Sequence, residues 1–131
     1  MSGKRQSDAV PPHYPARAPI DAYGNGGFRF AGMSHAGSLL LLPSGIHAWS
    51  VRSAGEAGPE QFGPVLAEAE AIDFLLFGTG VTQVMPSDGV AGLFADAGIG
   101  LEPMNTGAAC RTYNLLLAEN RAVAAALIAV D

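Results

Sequence analysis

Asp73-Phe74-Leu75-Leu76-Phe77-Gly78-Thr79-Gly80 is the stretch on which the fold turns. Its four central residues form a continuous apolar run closed by glycine. Such a run is too short for a helix of its own and predicts a strand over 73–77 buried on both faces. Upstream, Phe62, Val65, Leu66, Ala69 and Ile72 recur at helical spacing. Pro59 suits a first helical turn, so a helix is expected over 59–71. Downstream, Pro86-Ser87-Asp88 opens a second helix with Val90, Leu93, Phe94 and Ala97 on one face and Gly98 as its stop. A strand over 99–104, a third helix over 106–120 and a closing strand over 122–130 complete the half. Strands separated by helices of this length imply crossover units and parallel pairing around a central sheet.

The N-terminal half has a different rhythm. Gly24-Asn25-Gly26-Gly27 is a turn, because Gly and Asn tolerate positive φ. A short strand follows over 28–31, then turn chemistry through 32–37. The apolar run 38–42 ends at Pro43-Ser44-Gly45 and reads as a buried strand. Residues 46–51 alternate and form another. The turns between them are short enough for antiparallel neighbours. Ahead of all this, residues 1–19 carry Pro11, Pro12, Pro15 and Pro19 with few large apolar residues. They read as a flexible N-terminal arm. Residues 20–131 read as a single α/β domain with a β-rich front end.

Composition narrows the function classes. The chain has 131 residues, of which 49% are hydrophobic and 15% charged, enough for one well-buried core. A net charge of -5 with seven Lys plus Arg argues against nucleic acid as a partner. The single cysteine cannot form an internal disulfide, which fits a reducing compartment. No apolar run approaches the ~20 residues of a membrane span. A cytoplasmic location is expected. One Cys and scattered His offer no metal-ligand spacing, so neither a metal nor a cofactor is expected.

One candidate ligand site stands out. Gly78, Thr79 and Gly80 end a buried strand, where open α/β sheets bind ligands and where exposed N–H groups can hold an anion. A plain tight turn accounts for the same residues. The spacing fails both the dinucleotide fingerprint and the phosphate loop. Met104-Asn105-Thr106-Gly107-Ala108-Ala109-Cys110-Arg111-Thr112-Tyr113-Asn114 then gathers polar groups at the start of the third helix. Thr106 is placed to cap it; Thr106, Gly107 and Arg111 open it, and Arg111 reinforces an anion there. Cys110 beside Arg111 has either a lowered pKa and a nucleophilic role, or the role of a small core residue. No histidine is tied to it by sequence. Trp49 is read either as an interface anchor or as an ordinary strand tryptophan.

The chain also carries a resemblance. Its carriers are the residues from Phe28 to Gly32, Gly37-Ser38-Leu39-Leu40, Pro43-Ser44-Gly45, Trp49, Gly78-Thr79-Gly80 and the run from Thr106 to Leu116. Together they resemble an uncharacterised-domain family that includes the mitochondrial respiratory complex I assembly factor 3 and many bacterial proteins. The resemblance spans roughly residues 20–131. It implies an α/β fold of three layers: a central mixed five-stranded sheet, helices on its faces and additional antiparallel β-structure in the N-terminal half. The family carries no established reaction. The resemblance therefore implies a non-enzymatic, assembly-factor-like module with a protein partner. The alternative is a small-anion or small-molecule binding protein, or a cryptic enzyme, using the cleft between Gly78–Gly80 and Thr106–Arg111.

Overall fold

A computed structural model of the chain describes residues 14–131. Most of the flexible arm expected over residues 1–19 lies outside the described residues. Residues 14–19 lie on the domain: Tyr14 forms a two-way backbone bridge with Ile46, and the Arg17 guanidinium donates to the Arg121 carbonyl at 2.6 Å.

Three strands, β1 (Ala22–Gly24), β2 (Gly27–Phe30) and β3 (Met33–Ala36), form an antiparallel sheet. Its two hairpins close on Asn25-Gly26 (φ 52 and 79) and Ala31-Gly32 (φ 49 and 77). A left-handed pair makes the two-residue turn whose twist matches its strands. Turn chemistry is expected through 32–37, whereas Met33–Ala36 is strand β3. Its residues are largely exposed, so no apolar alternation announced it.

The main sheet has five strands in the order β5-β4-β8-β6-β7. They are β4 (Ser38–Leu42), β5 (Gly45–Trp49), β6 (Phe74–Gly78), β7 (Gly100–Met104) and β8 (Val123–Leu127). β6 runs parallel to β7 and β8, while β4 is antiparallel to β5 and β8. The sheet is therefore mixed, with β8 joining its two halves.

Strand alternation sorts the core into two faces. Leu40, Leu42, Leu75, Phe77, Ala124 and Ala126 meet one helical layer. That layer holds α1 (Gly63–Leu66) with a 3-10 turn on either side, and α2 (Asp88–Ala97). Leu39, Leu41, Leu76, Val123, Ala125 and Leu127 meet α3 (Thr106–Ala118) and the small sheet, through Ala109, Cys110, Tyr113, Phe28 and Phe30. Three layers result. Among the described residues no helix is long and apolar enough to cross a membrane.

The helix expected over 59–71 is interrupted. It runs as a 3-10 turn Pro59–Phe62, then α1, then a 3-10 turn Ala69–Ala71. Pro64 within it lacks the N–H that a longer α-helix would use. Glu68, between the last two pieces, takes the backbone N–H and hydroxyl of Ser44 at 2.9 and 2.6 Å. The helix expected from Ser87 to Gly98 forms as read: Ser87 caps it by accepting from Val90 N–H, and Gly98 (φ 73) ends it.

Phe62 is the hub of the first face. Its ring stands 5.4 Å from those of Trp49 and Phe77 and 5.2 Å from Phe94, tilted or edge-on in each case. Trp49 is 7% exposed and donates its indole N–H to the Gln61 carbonyl at 2.8 Å, so it is a core residue. Truncating Phe62 to Ala should cost about 3–5 kcal/mol, since it empties the centre of this cluster. Urea unfolding of the two proteins measures it, and a loss under about 1 kcal/mol would mean that the cluster can collapse around the gap.

Candidate functional site

The parallel pairing of β6 with β7 brings the two halves of the sequence-derived site side by side at the carboxyl ends of the strands. Thr79 N–H donates to the Met104 carbonyl and Thr106 N–H to the Gly80 carbonyl, both at 2.8 Å. The Thr106 hydroxyl is fully buried. It accepts from Gly80 N–H at 3.0 Å and donates to the Ile128 carbonyl at 2.7 Å. Thr106 is thus the first residue of α3 rather than its cap. Asn105 caps the helix, accepting from Ala108 N–H at 2.8 Å. Both side chains suit a cap; tertiary partners for the Thr hydroxyl decide between them.

Gly78 lets the helix sit this low. A Cβ there would stand 3.1 Å from the Thr106 Cα and 3.2 Å from the Ala109 Cβ. On the outer side, Gly107 lies against the Tyr23 ring with the exposed Arg111 beside it. Cys110 points into the second core face and is 3% exposed. Burial pushes its thiol up to about 12, with Arg111 offsetting part of the rise. The two described histidines make their contacts elsewhere. His35 Nε2 lies 3.2 Å from the Ser38 carbonyl, and His47 Nε2 lies 2.9 Å from the Ser44 hydroxyl.

Asn114 works as a clamp. Its side-chain oxygen accepts from Ile20 N–H and its amide donates to the Ile20 carbonyl, each at 2.8 Å. Tyr113 next to it is buried, which raises its pKa, and Arg17 beside the hydroxyl lowers it in part.

A neighbouring surface was not singled out from the sequence. The loop between β6 and α2 exposes Val81 (79%), Met85 (70%) and Val84 (41%). It is pinned. The Thr79 hydroxyl donates to the Thr82 carbonyl at 2.7 Å and accepts from Val84 N–H at 3.0 Å. Gln83 Nε2 donates to the Pro103 carbonyl at 2.9 Å. Its sequence, Val81-Thr82-Gln83-Val84-Met85, puts three apolar residues at i, i+3 and i+4 in a segment too short for a helix. That combination, placed between two turn signals, was the available clue.

The comparisons with known proteins agree with this architecture. Residues 20–128 match the model of a family described as a protein of unknown function, DUF498/DUF598. The chain belongs to that family. It is 50% identical to a solved structure of an outer membrane protein from Bartonella henselae, with a TM-score of 0.88 over 91% of this chain and 100% of that one. An uncharacterised Rhodobacter capsulatus protein is 36% identical over 89% of each chain. The mouse protein named NADH dehydrogenase [ubiquinone] 1 alpha subcomplex assembly factor 3 is 31% identical over 88% of this chain. This chain spans 62% of that assembly factor's length.

Two outcomes follow for the site residues. Thr106→Val should destabilise the domain by roughly 1–3 kcal/mol, because it leaves the Ile128 carbonyl and Gly80 N–H without their partner, while Thr106→Ser keeps both bonds and most of the stability. Equal unfolding midpoints for Val and wild type would show that the node is dispensable. A thiol reagent near neutral pH should label Cys110 slowly in the folded protein and quickly in denaturant. The folded chain holds the thiol proton more tightly than the unfolded one. Stability from this group is therefore complete below its ordinary value of 9.0 and is lost as pH rises toward about 12. Rapid labelling of the native protein would contradict the burial.

Proposed function

We propose that this chain is an assembly-factor-like module that holds another polypeptide rather than transforming a small molecule, and that its work lies in building a respiratory membrane complex. The pinned apolar loop carries the reading. Soluble domains rarely hold several large apolar side chains in water on a fixed backbone without a partner for them. Methionine is also among the residues enriched in the cores of protein interfaces.

The assembly factors among the relatives support the same role. The chemistry at the neighbouring strand ends fits it as well. Thr79 N–H, Gly80 N–H and the Thr106 hydroxyl, which a small ligand would need, are already bonded to one another's segments. Cys110 is a protonated core thiol.

Deleting the gene in its host should lower membrane-bound NADH:ubiquinone oxidoreductase severalfold and leave partly built subcomplexes on native gels. The wild-type gene should restore the complex. An unchanged amount of complete enzyme in the deletion strain would sink this reading.

A further inference from the structure

The exposed loop does not stand alone. Beside it, residues 52–55, 79–81, Val84 and 128–131 wall a groove of about 580 Å³ at the carboxyl end of the sheet. Val81 and Val84 belong to both the loop and the groove, so the apolar surface is continuous from the loop crest into the concavity. The groove's inner wall includes Ala54, Ile128 and Ala129. Its size admits apolar side chains of a partner.

Asp131 and Arg52 balance within the groove's lining, and the residues next to it tip the charge to the acidic side. Asp131 lines the groove. Glu56 stands at the same corner, its carboxylate taking the Arg52 backbone N–H at 2.8 Å. Asp88 opens α2 directly after the loop. Arg52 is the one cation among the groove's lining residues. An apolar surface with an acidic rim attracts an apolar face with a basic rim, and repels an anionic one.

We infer that this groove and loop bind a protein segment with an apolar face flanked by Lys and Arg, the chemistry of a basic amphipathic helix. The occupant's apolar residues enter the groove between Val81 and Val84 and cover Met85. Its basic residues face Glu56, Asp88 and Asp131. Helix-in-groove docking of this kind reads its partner by apolar anchors at one-turn spacing, with charge setting orientation and encounter rate. A bilayer surface also has apolar depth, but its anionic headgroups meet the same acidic rim and are repelled. This inference rests on the protein-binding role proposed above and names the chemistry of the partner.

The test uses the full chain, isotope-labelled, and three probes: a synthetic amphipathic peptide of Leu and Lys only, its Leu/Glu twin, and phosphatidylcholine–phosphatidylglycerol vesicles. The Leu/Lys peptide should shift amide signals of residues 52–55, 79–88 and 128–131. The twin and the vesicles should leave them in place. Val81→Ser with Met85→Ser changes only exposed side chains and should weaken peptide binding about tenfold, or about 1.4 kcal/mol. Any one of four results overturns the inference: no shift with Leu/Lys peptide at millimolar concentration, equal shifts with the Leu/Glu twin, capture by the vesicles, or undiminished binding by the double variant. The deletion strain keeps the two proposals apart. If the double variant fully restores the respiratory complex there, the surface is wrong while the assembly role stands.

Discussion

The last strand of the chain occupies the middle of the sheet. β8 pairs with β4 on one side and with β6 on the other, antiparallel to the first and parallel to the second. Without it, the N-terminal hairpin and the parallel pair are two fragments with open edges and half-covered faces. All five of its side chains are buried, and three are alanines. Small residues there let both outer layers approach the sheet, while the larger neighbours on β4 and β6 supply the bulk of each face. Both core faces therefore share a strand that arrives last in the sequence, and the sheet closes only through contacts of long sequence separation.

The same geometry produces the node at the carboxyl ends of the strands. With β7, β6 and β8 side by side and parallel, the segments that leave them must pass one another in a small space. Each brings backbone groups that the ladder no longer satisfies. A buried threonine answers the need: the Thr106 hydroxyl serves as acceptor for one segment and donor for another. Thr79 does the equivalent one position outward, where its hydroxyl folds the following loop back on itself. The polar residues at this end thus form a chain of structural bonds running from the core to the surface. The outermost of them holds Val81, Val84 and Met85 in water.

That arrangement explains how a domain with few charges can present a defined surface. The loop's backbone entropy is already lost in the free protein, because Thr79 and Gln83 hold it. Ordering it on binding then adds little cost, which favours recognition by a preformed surface. Its position at the carboxyl end of a parallel pair is where α/β sheets commonly bind their ligands. Here the strand-end hydrogen-bond donors are used internally and apolar side chains are what remains on display.

Much of this was legible in the residues themselves. The runs at 38–42 and 74–77, the Ser87 cap and Gly98 stop, and the apolar spacing of Val90 and Phe94 each determine an element locally. Period, capping chemistry and chain stiffness act over a few residues and need no distant partner. The three-layer α/β class and the family follow from those signals and from the separated glycine and threonine motifs. What only the tertiary structure decided was which equally suitable group did which job. Asn105 caps α3 because the Thr106 hydroxyl is claimed by segments 26 and 22 residues away. Pro64 and the reach of Glu68 to Ser44 interrupt a helix whose apolar spacing looked continuous. Strand β3 exists through pairing alone, having no alternation of its own. Cys110 is a core thiol because residues from the other end of the chain, Ile20, Phe28 and Phe30, share its cluster, and Trp49 is a core ring because Phe62 and Phe77 pack against it. Burial and pairing are properties of neighbours in space, and no local pattern encodes neighbours a hundred residues apart.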